Sequence, residues 1–276
     1  MEDLDFTRPA KSPVYDVAIA RDFFGAAGTA ASAAQGETVF VEHQQDSRMF
    51  FLLEGEVSLT RGRKLLDIVK QGEIFGEMAT VTGHPRTASA VARTPCSLLS
   101  LDARQFHGAI RKAPEFALML MSIMVNRLRL TVAMLTVTKS LPDGSGRGES
   151  RVFDQKLLGD LCRALPERCS VYHPVRKVIM KEGEAGVFMY VVVEGRAAIT
   201  IQGRTVERVG PGGVFGEMAL VDQSQRAASA VAETDCSLLA INRNDFLALV
   251  KTKPEFGMYL LKAVAERLRY LTSFQK

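Results

Sequence analysis

The sequence predicts a mostly β fold with flanking helices: two β-roll or jelly-roll domains, each followed by a long helix. Three observations carry this expectation. First, the chain repeats itself at a shift of 140 residues, as Gly76-Glu77-Met78-Ala79 and Gly216-Glu217-Met218-Ala219 show. The shift is far longer than the roughly 20–50 residues of a solenoid unit, so a whole domain is duplicated. Second, each copy holds many short β-like runs at roughly 8–12-residue spacing, which suggests an antiparallel sandwich or jelly roll. Third, each copy closes on a helical pattern interrupted by Pro114 or Pro254, where a short helix stops and a longer one begins.

In chain order, residues 1–13 read as an irregular lead. Residues 14–34 read as helical, with an Ala-rich tract and breaks at Gly25 and Gly28. Strands follow at 38–42, 49–53, 57–60, 64–69, 89–92 and 97–102, and in the second copy at 178–181, 188–193, 197–201, 204–209, 229–232 and 237–242. Turn residues separate them, among them Glu54-Gly55, Gly62, Gln71-Gly72 and Gly210-Pro211-Gly212-Gly213. Helical patterns occupy about 103–138 and 243–273. Another begins near 152, with Phe153, Leu157, Leu158, Leu161 and Leu165 at helical spacing. The Pro, Gly and Ser content of 140–151 marks a linker between domains at 14–139 and 152–276.

Composition bounds the function classes. The 276 residues are 47% hydrophobic and 24% charged, which is globular rather than disordered. A net charge of +4, spread over both halves, gives no reason to expect nucleic acid as a partner. Cys96 and Cys236 sit at equivalent positions in apolar runs and read as small core residues. There is no C-x-x-C pair, and His43, His84, His107 and His173 are scattered, so neither a metal site nor a catalytic group is expected. The first residues show no apolar signal segment, and a cytoplasmic protein is expected. Residues 116–138 are strongly apolar, but Asn126, Arg127 and Arg129 interrupt them. A buried or dimerising helix is expected there rather than a membrane span.

The motif that recurs most closely is chemical. Each Gly-Glu-Met-Ala is followed, nine residues after the glutamate, by Arg86 or Arg226. Glycine lets a ligand approach the backbone. A short helix beginning at the glutamate directs amide groups toward an anion. Arginine supplies a planar fork of donors for phosphate, and glutamate accepts from a hydroxyl. Together they suit a ribose phosphate.

These residues resemble the cyclic nucleotide-binding domain family, which includes the bacterial catabolite activator protein and the regulatory subunits of cAMP-dependent kinase. The family's phosphate cassette, F-G-E-x-[AS]-L followed by a [PR]-R-x-[AS] stretch, is matched by Phe75-Gly76-Glu77-Met78-Ala79 with Pro85-Arg86-Thr87-Ala88-Ser89. It is matched again by Phe215-Gly216-Glu217-Met218-Ala219-Leu220 with Arg226-Ala227-Ala228-Ser229. The resemblance covers residues 15–138 and 152–273.

It implies that Arg86 and Arg226 bind the cyclic phosphate, that Glu77 and Glu217 accept from the ribose 2′-hydroxyl, and that the amides of Met78, Ala79, Met218 and Ala219 reach the phosphate. Thr87 implies tolerance of cGMP at the first site, and Ala227 a cAMP-like second site. It also implies that the helix after each barrel is a lid, with Asn126, Thr131 and Tyr270 near the base. The expected function is a stand-alone receptor for cAMP or cGMP. It would signal through lid movement to an unidentified effector protein, with a homodimer through helix 115–138. The alternative is a ligand-free protein-docking module on the same fold. The chain ends at Lys276 with no helix-turn-helix after either copy, so a transcription factor is not expected.

Three departures carry their own expectations. Glu42-His43-Gln44-Gln45 stands where the second copy has Lys181-Glu182-Gly183-Glu184, which predicts an altered turn distant from the phosphate. Thr80 replaces the usual leucine, which alters packing under the first cassette. Gln225 replaces Pro85, which loosens the second loop. The pairs Arg127/Arg129 and Arg267/Arg269 read as solvated faces.

Overall fold

The computed structural model describes residues 15–144 and 148–274. The lead expected at 1–13 lies outside the described residues. The chain divides into two compact units, Met1–Ile123 and Met124–Lys276.

The first unit opens with α1 (Val17–Ala27), whose first turn is capped by the Asp16 carboxylate. Eight strands follow: β1 (Thr29–Ala33), β2 (Thr38–Phe40), β3 (Met49–Glu54), β4 (Glu56–Arg61), β5 (Lys64–Lys70), β6 (Ile74–Phe75), β7 (Ser89–Ala92) and β8 (Cys96–Leu101). A short helix, α2 (Glu77–Thr82), lies between β6 and β7. The strands form two antiparallel sheets in the orders β1-β8-β3-β6 and β2-β7-β4-β5. Each sheet draws from both ends of the strand series, as a jelly roll requires. Helices α3 (Ala103–Ile110) and α4 (Glu115–Val137) follow. The capping box of Asp102 and Gln105 starts α3.

The second unit repeats the plan. After α5 (Gln155–Ala164) come β9 (Ser170–His173), β10 (Val178–Met180), β11 (Phe188–Glu194), β12 (Ala197–Ile201), β13 (Arg204–Val209) and β14 (Val214–Phe215). Helix α6 (Glu217–Asp222), β15 (Ser229–Ala232), β16 (Cys236–Asn242), α7 (Arg243–Thr252) and α8 (Pro254–Thr272) complete it. Its sheet orders are β14-β11-β16-β9 and β10-β15-β12-β13. The expected fold class, two jelly rolls each followed by a helix, is observed.

The cores are also repeat equivalents. Phe40, Phe50, Leu52, Phe75 and Leu98 fill the first; Val192, Ile199, Phe215 and Leu238 fill the second. Phe50 stacks on Phe75 with ring centroids 5.2 Å apart, and Tyr190 on Phe215 at the same 5.2 Å. Burying such side chains stabilises each roll by roughly 1.5–3 kcal/mol apiece. Cys96 and Cys236 are buried in these cores, as expected.

Two expectations are corrected here. The Ala-rich tract does not extend the first helix. Residues Thr29–Ala33 form β1, in register with β8 from Thr29↔Ser100 to Ala33↔Cys96. Helix propensity is a weak prior, and the unpaired backbone groups along the edge of β8 override it. The second correction concerns the turn at His43. His43 adopts φ 65, close to φ 81 at Gly183, and both donate their amide to the carbonyl of their unit's arginine at 2.9 Å. The turn keeps its geometry and touches Arg86 directly.

The compact units divide inside α4, and the loop 140–151 belongs to the second. Leu135 packs with Leu141 and Ile201, against Val206 and Leu271. The α4 helix is long and apolar enough to cross a membrane, yet Phe116, Leu120, Met121, Met124, Val125 and Leu128 are buried within the protein. An all-round apolar helix is buried on more than one face.

Candidate functional site

In each unit the ladder ends in a two-residue strand that delivers a glycine, then a helix. Gly76 and Gly216 have φ 75 and 81 and no side chain caps the helix they begin. A β-carbon on Gly76 would lie 2.8 Å from Arg86 Nη1, and one on Gly216 2.7 Å from Arg226 Nη1. Glycine is therefore needed twice over: for its left-handed backbone and for the close approach of the arginine. That approach is a hydrogen bond, Nη1 donating to the glycine carbonyl at 2.9 Å in the first unit and 2.8 Å in the second.

The second site gathers all six residues expected there. Gly216, Glu217, Met218, Ala219, Arg226 and Ala227 line one cleft. Its apolar walls include Ile199, Ile201 and Phe215 from the sheets and Leu128 and Val132 from the second unit's part of α4. Helix α8 closes it with Arg267, Tyr270 and Leu271. Tyr270, singled out as an aromatic cap, lines this cleft.

Two charged side chains of this cleft, Arg226 at 6% and Glu217 at 2% exposure, are buried. Arg226 Nη2 donates to the Phe188 carbonyl at 2.6 Å. Both hydrogen-bond acceptors of Arg226 are thus neutral. Burial pulls its pKa down, while Tyr190 and Glu217 raise it. The guanidinium remains charged, since arginine is not deprotonated in proteins.

Sequence reasoning missed Arg267. This residue reaches from α8 to Glu217 at 2.5 Å, to Glu207 on β13 at 3.1 Å and to the Val214 carbonyl at 2.6 Å. Burial alone would lower its pKa, but Glu207 and Glu217 outweigh that and raise it. The reading of Arg267/Arg269 as a solvated pair is corrected for the first member. Arg269 does turn outward, to Glu266 on its own helix. Residues two apart on a helix face different ways. The signal was available in the spacing: Arg267 lies three residues after Val264 and four before Leu271, on the apolar stripe. Arg129 is also corrected, because it forms an ion pair with Asp222 at the end of α6.

The first site has the same frame. Gly76 precedes α2, Glu77 and Ala79 are buried in it, and Met78 and Thr87 are half-buried. Arg86 is 2% exposed and lies over the Phe40 ring, 3.9 Å from its centroid. Its Nη2 sits 3.0 Å from the Asp46 carboxylate. Sequence reasoning gave Asp46 no role.

The remaining departures resolve as follows. Thr80 is buried, and its hydroxyl has no hydrogen-bond partner among the described residues. The leucine at the equivalent position, Leu220, is buried and apolar. Gln225 pairs with Ala185 in an isolated antiparallel bridge. Beside it the Arg226 amide donates to the Glu184 carbonyl at 2.8 Å, as the Arg86 amide does to Gln44 at 3.0 Å in the first copy. Among the described residues, no group of three or more His, Cys, Asp or Glu could hold a metal ion.

Comparison with known proteins matches the cyclic nucleotide-binding domain to residues 31–113 and again to 171–253. The cyclic AMP receptor protein of Thermus thermophilus is 41% identical over 35% of this chain and 47% of its own length. Human cGMP-dependent protein kinase 2 is 26% identical over 84% of this chain and 28% of its own. The cAMP-dependent protein kinase regulatory subunit of Yarrowia lipolytica is 28% identical over 78% of this chain and 52% of its own. The chain thus spans about half or less of the length of each of these relatives.

Proposed function

Because this chain belongs to the cyclic nucleotide-binding domain family, we propose that it is a receptor for cAMP, with cGMP as a second ligand. It would bind at two sites and pass occupancy to a partner protein through the helix after each roll. The observation that carries this reading is the convergence of Gly216, Glu217, Ala219, Arg226 and Tyr270 on one cleft. A buried guanidinium beside short-helix amides suits the cyclic phosphate. The Glu217 carboxylate, with its second oxygen, suits the ribose 2′-hydroxyl, and the Tyr270 ring suits the base.

Signalling follows from Arg267. The residue that holds Glu217 is carried by α8, so a sugar hydroxyl that claims Glu217 also bears on the position of that helix. A ligand shifts such a helix only by its differential affinity for the two positions. The reading places the protein in the cytoplasm with an effector protein as partner. Thr87 and Ala227 are the positions at which we expect the two sites to differ toward cGMP.

Isothermal titration of nucleotide-free protein with cAMP, then cGMP, tests the proposal. Saturable binding at micromolar affinity or better supports it. No heat and no thermal shift with either nucleotide would replace it with a docking module that keeps the fold without the ligand.

A further inference from the structure

The two arginines share a frame but not a counterion. Applying the 140-residue shift to Asp46 gives Gly186. In the first site the Asp46 carboxylate occupies Arg86 Nη2 at 3.0 Å. In the second, Arg226 Nη2 donates to the Phe188 carbonyl. The second site has no room for any side chain at this place. A β-carbon on Gly186 would lie 2.6 Å from the Ala219 β-carbon and 2.8 Å from Arg226 Cζ and Nε.

Asp46 is also held where it stands. Arg48 donates to it from Nε at 3.1 Å, from Nη2 at 3.1 Å and from its backbone amide at 3.0 Å. The Asp46 side chain is only 11% exposed. Burial pushes its carboxyl up, but the hydrogen bonds from Arg48 and the neighbouring charge of Arg86 outweigh this and bring the pKa down to about 2. Asp46 is therefore held as an anion near neutral pH.

We propose that Asp46 is an affinity-determining residue that makes the two sites unequal, standing as an internal anion on Arg86 in the first site where glycine leaves the second open. This rests on the reading that Arg86 and Arg226 receive the cyclic phosphate. A phosphate entering the first site meets an arginine already neutralised, and a carboxylate of its own sign. It binds by displacing Asp46 toward Arg48, or against repulsion from it. The second site opposes the phosphate with no carboxylate on its arginine.

The experiment is titration of cAMP into full-length variants that isolate each site: Arg226→Ala leaves the first, Arg86→Ala the second. The expected result is that the second site is tighter by about tenfold or more, the step that about 1.4 kcal/mol produces. Adding Asp46→Asn to Arg226→Ala should then raise affinity at the first site by a similar factor. Equal affinities at the two isolated sites, or a first site tighter than the second, would overturn the proposal. Weaker binding with Asp46→Asn would overturn it too, since Asp46 would then be a buttress that aims Arg86. If Asp46→Asn does not fold, the comparison of the two single arginine variants decides alone. Absence of binding at both sites in the unmutated protein is a different failure: it removes the receptor reading itself, and this proposal with it.

Discussion

Arg267 on the last helix holds the buried carboxylate of Glu217, its Nη1 donating to Oε1 at 2.5 Å. The same guanidinium spans Glu207, so one cation serves two buried carboxylates and the Val214 carbonyl. Removing one partner of a buried charge pair leaves the other unpaired in a poorly solvated place, and costs about 3–5 kcal/mol.

Arg267→Ala should therefore lower the unfolding free energy by about 3–5 kcal/mol. Arg267→Lys should lose most of this as well, because an ammonium cannot reproduce the planar fork. Chemical denaturation read by tyrosine fluorescence or circular dichroism measures it. A loss under about 1 kcal/mol for the alanine variant would mean that the pair is not buried in solution.

The phosphate assignment makes a separate demand. Arg86→Ala and Arg226→Ala should each weaken nucleotide binding at their own site by about 2–5 kcal/mol, which is roughly 30-fold or more. Calorimetry in which either variant keeps its full affinity at the mutated site would remove that arginine from the binding role.

Thr80→Val should stabilise the protein. The Thr80 hydroxyl is buried with no partner among the described residues, and an unsatisfied buried polar group costs about 1–3 kcal/mol. Valine keeps the shape and removes the hydroxyl. Thermal unfolding should show a rise in Tm; a fall would indicate that an ordered water satisfies the oxygen.

The Asp46–Arg86 pair should be visible in acid. The Asp46 carboxyl ionises at about 2 in the fold, against 3.8 for a free aspartate side chain. The unfolded chain binds more protons between these values, so the pair's stabilisation is fully present above the unfolded pKa. It is lost as pH falls through the folded one. Asp46→Asn should be less stable than the unmutated protein near neutrality, and the gap should narrow as pH drops from about 5 toward about 2. A gap constant over that range would show that Asp46 is not ionised against Arg86.

The duplication, the jelly rolls and both cassettes were legible in the sequence, because each rests on local signals. Turn residues, alternation and the Gly-Glu…Arg spacing act within a few positions of one another. The shift of 140 residues then checked each copy against the other. Tertiary structure decided what depends on distant partners. It drew an Ala-rich tract into β1, because β8 offered Thr29–Ala33 a hydrogen-bonded edge. It turned Arg267 inward and Arg269 outward, because only one of them lies on the stripe that packs over β13 and α6. It gave Asp46 a counterion forty residues away in Arg86 and denied Gly186 any side chain at all. Sequence sets which groups are present and how they are spaced. The charges that face each other in the interior are chosen by packing, since an ion is buried only where the whole fold brings it a partner.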